Sequence, residues 1–148
     1  MRIGLITLVF TLVGCTPDAG NVEAEVRQLV GNYLASTDVA ASVNMLDPAP
    51  NVTSITGEGR IVRGRDAIKE EASKQIANLP QLKVAAGTIE VTRLGTTHAL
   101  AIAPFSIAPS STPQAATTQG AATLLLAKRD SGWKVVPEHF SYTAARKP

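Results

Sequence analysis

The chain has 148 residues, enough for one domain with a single core. Hydrophobic residues make up 45% and charged residues 18%, a globular balance that excludes a disordered chain. The net charge is only +2 and no run of Lys and Arg is interleaved with aromatics, so no nucleic-acid partner is expected.

Met1-Arg2 supplies a positive start, and Ile3 to Val13 is apolar. That run is well short of the ~20 residues that span a bilayer, and it has the form of a signal peptide. Leu12-Val13-Gly14-Cys15 resembles the lipobox of bacterial lipoproteins. The resemblance implies that Cys15 carries diacylglycerol and becomes the first residue of the mature chain. Thr16, rather than Asp, follows it, which implies the outer membrane, facing the periplasm. A plain signal peptide with an incidental cysteine is the alternative. Cys15 is the only cysteine, so an intrachain disulfide is impossible. The expected division is residues 1–14 signal peptide, 15–20 tether and 21–145 folded domain.

In the domain, Val22, Val26, Leu29, Val30, Tyr33 and Leu34 recur at helical spacing. Ser36-Thr37-Asp38 ends that helix and caps a shorter one through Val43, Met45 and Leu46, stopped by Pro48 and Pro50. Asn51 to Thr56 and Ile61 to Arg63 read as a short hairpin around Gly57-Glu58-Gly59-Arg60. Gly64-Arg65-Asp66-Ala67-Ile68 opens a third helix with the stripe Ile68, Ala72, Ile76 and Leu79. The remainder reads as four long antiparallel strands. Leu82 to Leu94 and His98 to Ala108 flank the turn Gly95-Thr96-Thr97. Ser110 to Gly120, rich in Ser, Thr, Pro, Gln and Ala, reads as a mobile loop. Thr123 to Ala127 and Trp133 to Thr143 form the closing hairpin around Arg129-Asp130-Ser131-Gly132.

The closing stretch TLLLAKRDSGWKVVPEHFS and the Gly64-Arg65-Asp66-Ala67-Ile68 signature resemble the SnoaL-like and ketosteroid isomerase-like (nuclear transport factor two-like) superfamily. The nearest branch resembles the association domain of calcium/calmodulin-dependent kinase. The resemblance implies an α+β fold of the cystatin-like kind, a cone-shaped curved antiparallel sheet wrapped over about three N-terminal helices. It also implies homo-oligomers formed through the outer face of the sheet. No cofactor and no metal site is implied.

Strand alternation places Trp133, Val135, Pro137, His139 and Ser141 on one face. This face lacks fixed charge and is expected to look into the cone. The expected pocket is His139, Ser141, Val135, Trp133, Tyr33 and Met45. His139 is the candidate catalytic residue, since imidazole can act as a base near neutral pH. It can equally be a structural histidine bridging strand and helix. Ser141 is as readily structural, and Trp133 can plug the end of the barrel instead of touching a ligand. His98 is expected in solvent, and Asp38 and Asp47 as cap and turn residues. Arg60, Arg63 and Arg65 can hold an anion or form a solvated face.

The carboxylate base of steroid isomerases falls, by resemblance, at Ser54 or Ile55, and neither can take a proton from carbon. The expected function is therefore a lipid-anchored domain that binds a small, partly apolar molecule. A SnoaL- or isomerase-type enzyme with His139 as base is the alternative, and an assembly module without ligand the third.

Overall fold

The computed structural model describes residues 19–78, 82–109 and 117–143. The expected signal peptide, Cys15, the distal stripe residue Leu79 and most of the expected Ser110 to Gly120 loop lie outside these residues.

The first helix, α1, spans Ala19–Ala35 and turns Val26 and Val30 fully into the core. α2 covers Val39–Met45. Its N-cap is Asp38, whose Oδ1 accepts from the amides of Ala40 (2.8 Å) and Ala41 (3.2 Å), satisfying donors that the first turn leaves open. β1 (Thr53–Ile55) and β2 (Ile61–Arg63) form the expected hairpin. Gly64 then holds φ +84°, a left-handed turn that a side chain strains, and α3 (Arg65–Asn78) begins behind it. Ile68 is its buried anchor, at 6% exposure.

β3 (Leu82–Ala86) and β4 (Glu90–Leu94) replace the single strand expected over Leu82 to Leu94. Both pair with the same side of β5 (His98–Pro109), leaving Ala103 and Pro104 opposite the break. Proline explains the interruption. The Pro104 carbonyl accepts from Gly87 N at 2.7 Å, so its missing N–H falls on that same side, where no ladder bond can form.

β6 (Thr118–Arg129) starts earlier than expected, taking Thr118 to Gly120 out of the loop, and β7 (Gly132–Tyr142) follows a tight turn. The sheet runs β2-β1-β7-β6-β5-β3, with β4 beside β5. It is mixed rather than wholly antiparallel, because β1 runs parallel to β7.

One irregularity decides what faces inward. Leu126 pairs with Val135, but Leu124 pairs with Glu138, so two residues of β7, Val136 and Pro137, oppose Leu125 alone. This is a β-bulge, and Pro137 sits in it, as a residue without an amide hydrogen would. Alternation therefore changes phase. Trp133 and Val135 point inward before the bulge, and Glu138 points inward after it.

The core joins Val26, Val30 and Leu34 of α1 to Leu124, Leu126 and Val135. Ala99, Ala101, Ala103 and Ala122 are fully buried among them; these small side chains let the helix approach the sheet. Trp133 closes one end. Its Nε1 donates to Glu25 Oε2 at 3.1 Å, Lys128 Nζ donates to the same oxygen at 2.9 Å, and Lys128 stands 5.4 Å above the indole. Lys128 holds the Glu25 carboxyl below the usual carboxylate range.

Candidate functional site

Away from Trp133, the sheet and the helices leave a cavity of about 800 Å3. α1 contributes Tyr33 and Leu34, α3 contributes Ile68, Ala72 and Ile76, and the strands supply Ser54, Val84, Phe105 and Glu138.

Glu138 is the chemical centre of this space. The bulge turns it inward, and the parallel β1–β7 ladder places it in register with Ser54. The residue is 3% exposed, and its Oε2 is buried without a hydrogen-bond partner, the lone such side-chain atom among the described residues. Burial pushes its carboxyl above the ordinary value, while the neighbouring hydroxyls of Tyr33 and Ser54 pull the other way. Tyr33 is itself pushed well above the usual phenol value by burial and then by the negative charge of Glu138. It therefore stays protonated and can donate. An unpaired carboxyl oxygen beside a neutral phenol can accept from a ligand N–H or O–H. It can also donate when protonated, or move a proton at a bound molecule.

An aromatic wall stands beside it. Phe105 meets Phe140 edge-on at 6.1 Å between centroids, and Tyr142 at 5.7 Å. The Tyr142 ring lies against Gly57, where an added Cβ would fall 1.8 Å from it. At the outer edge, Arg60 is shared between Glu71, with Nη1 2.9 Å from Oε2, and Glu58, at 3.3 Å. These pairs hold the Glu71 carboxyl below its usual range and raise the guanidinium further.

The structure corrects most of the pocket expected from alternation. His139 is exposed on the outer face of the sheet, one residue past the inward Glu138, because the bulge reverses the phase. It is neither a pocket group nor a bridge to a helix. Ser141 is exposed too, its hydroxyl donating to Ala121 O at 3.2 Å. Val135 and Trp133 are buried core residues that do not line the cavity, nor does the half-buried Met45 at the end of α2. Tyr33 alone of the six lines it.

The arginines are mostly occupied inside the protein. Arg65 donates to Val43 O at 2.8 Å and to Asn44 Oδ1 at 3.1 Å, tying α3 to α2. Asp47 does more than turn the chain. It is 1% exposed, accepts from Ala49 N at 2.8 Å, and receives Arg129 Nε at 2.7 Å. No cluster of three metal-binding side chains occurs among the described residues.

The family model of the SnoaL-like domain matches residues 22–145. The chain belongs to the SnoaL-like domain family. Solved structures with the same fold are similar to this SnoaL-like domain at low identity. A protein from Caulobacter vibrioides with a cystatin-like fold is 20% identical, covering 84% of this chain and 91% of its own, at a TM-score of 0.71. A proposed dehydratase from the NTF2-like family, from Streptomyces avermitilis, is 18% identical, covering 88% and 100%, at 0.72. An NTF2-like superfamily protein from Salmonella enterica is 20% identical, covering 86% and 95%, at 0.70. The comparison with curated proteins returned no match. The shared feature is the α+β cone, and in this SnoaL-like domain the cone is open around Glu138.

Proposed function

We propose that this SnoaL-like domain is a lipid-anchored, periplasm-facing binding protein that takes a small, partly apolar molecule into its cavity, with Glu138 as the polar anchor. The observation that carries the reading is the unpartnered Oε2 of Glu138 beside a cavity of about 800 Å3. An unsatisfied buried polar group costs roughly 1–3 kcal/mol, which a ligand donor would recover. The cavity's size and the predominance of apolar surface in its lining are those of a small-molecule site. Native mass spectrometry of protein purified from its own source tests this. A retained small molecule, lost from Glu138→Ala, is expected; a bare wild-type protein that also takes up no apolar dye overturns it.

A second reading, an isomerase- or dehydratase-type enzyme, is supported by the Ser54–Glu138 register. The acid absent from β1 stands on the adjacent strand, so Glu138, in place of His139, becomes the proton-transfer group. A rate that titrates with Glu138 and vanishes in Glu138→Gln distinguishes it from binding alone.

Anchoring rests on Leu12-Val13-Gly14-Cys15. Two acyl chains hold a protein stably, at about 0.8 kcal/mol per buried methylene. Cys15→Ser is expected to leave the protein unprocessed or soluble; unchanged membrane fractionation overturns it. Self-association is proposed through the outer sheet face, where Leu94 is 45% and Ile102 42% exposed. A monomer by light scattering at micromolar concentration would refute that.

A further inference from the structure

We infer that the cavity selects a lipophilic amine, a molecule carrying an ammonium group on an aromatic or branched apolar body. The inference rests on the cavity being a binding site and goes on to the charge of what it holds.

Three independent features point the same way. The first is the sign of the lining. Glu58, Glu71 and Glu138 are its charged residues, with no Lys, Arg or His among the described residues that line it. Arg60, just outside, is shared by Glu58 and Glu71, so one guanidinium faces two carboxylates at the rim and none reaches Glu138. An anionic ligand would meet this excess of negative charge with no partner.

The second is Glu138 itself. A buried carboxylate is tolerated when paired with a charge or fully hydrogen-bonded, and Oε2 has neither. An ammonium donor supplies both at once, in a charge-assisted bond stronger than a neutral one. Tyr33 and Ser54 flank the carboxyl as hydroxyls and leave that oxygen open.

The third is the aromatic wall. Phe105 meets Phe140 and Tyr142 edge to face, all three line the cavity, and each aromatic ring carries a negative face. Such faces attract a desolvated cation and bury an apolar body equally well.

The pairing sets a pH response opposite to that of a neutral acceptor. Below its pKa Glu138 is protonated and offers no charge to an ammonium. Affinity therefore rises as Glu138 ionises and falls again once the amine loses its own proton. The groups facing Glu138 are Tyr33 and Ser54, with Tyr142 and the Arg60-paired Glu58 and Glu71 further out. Burial raises both tyrosines, and Arg60 keeps Glu71 ionised, so Glu138 governs the rising limb. A ligand carbonyl held by protonated Glu138 would instead bind best in acid.

The test is calorimetric titration of the full mature chain with 1-naphthylmethylamine, 1-naphthalenemethanol and 1-naphthoic acid, which share one body and differ in charge. The amine is expected to bind at least about tenfold tighter than the alcohol at neutral pH, and the acid weakest. Glu138→Gln is expected to erase the preference for amine while keeping alcohol binding. Equal binding of amine and alcohol, or a preference for the acid, overturns the amine inference and leaves the cavity as a binding site. Failure of all three overturns both. The wild-type series decides the matter even if Glu138→Gln does not fold.

Discussion

Ser54 and Glu138 are register partners across the parallel β1–β7 ladder, a short hydroxyl facing a buried carboxyl. Related isomerases carry an acid on the first hairpin by resemblance; here the hairpin offers the hydroxyl and the neighbouring strand offers the acid.

Glu138 makes folding stability depend on pH with a definite sign. Its folded carboxyl holds a proton more tightly than the unfolded one, because burial raises its pKa. The stabilisation is complete below the unfolded value of about 4.3 and is lost as pH rises through the folded value. Glu138→Gln has no proton to release, so its stability relative to wild type should climb over that window. Glu25 and Glu71, held low by Lys128 and Arg60, lose their contribution as pH falls, equally in both proteins. Urea unfolding of the pair from about pH 4 to about pH 9 checks this; a flat difference would mean that Glu138 is solvated.

His139→Ala should alter stability by no more than about 0.5 kcal/mol, as surface changes usually do. Ligand uptake, compared at constant oligomeric state, should also be unchanged. Loss of binding in this variant at constant oligomeric state would contradict the outward placement of His139.

Ile68→Ala should cost about 2–5 kcal/mol, the range for truncating a buried isoleucine. Ile68 is 6% exposed and secures α3 over the cavity, so the same variant should weaken ligand uptake. Chemical denaturation measures the first effect and calorimetry the second. A shift near zero would show that α3 is held by something else.

Gly57→Ala should displace the Tyr142 ring, because the new Cβ would stand 1.8 Å from it. Tyr142 is 43% exposed and can swing outward, so the effect on folding is small and the effect on the aromatic wall large. Binding of an aromatic ligand should fall, and Tyr142→Ala should add nothing further. Additive losses in the double variant would separate the two residues.

Much of the fold is local and was open to reading. The Asp38 cap, the stripe of Val26 and Val30, and the turn at Gly64 each depend on residues within a few positions of one another. The site is not local. The inward set on β7 follows from alternation only if the ladder is unbroken, and the bulge breaks it after Val135. Pro137 was the available signal, since proline inside a paired strand sits at an edge or a bulge. Taking it as a bulge reverses the phase and moves Glu138 inward in place of His139. Nothing in the order of residues announces that β1 runs parallel to β7, so the Ser54 partnership stays invisible until the sheet is seen. Pro104 acts likewise, splitting β3 from β4 where one strand looked continuous.

The parallel pairing of β1 with β7 also fixes when the cavity can come into being. Strand β1 must wait for almost all of the remaining domain to be synthesised before its neighbour exists, and Glu25 waits similarly for Lys128, 103 positions later. Contacts so distant along the chain slow folding, because the loop between them has to close first. The helices and the β5–β6 pairing draw on contacts nearer in sequence, whereas the wall carrying Ser54 and Glu138 assembles only with the final strand. A nascent or C-terminally clipped chain would thus be structured in part and have no binding site at all, and uptake of a ligand would report on completion of the fold.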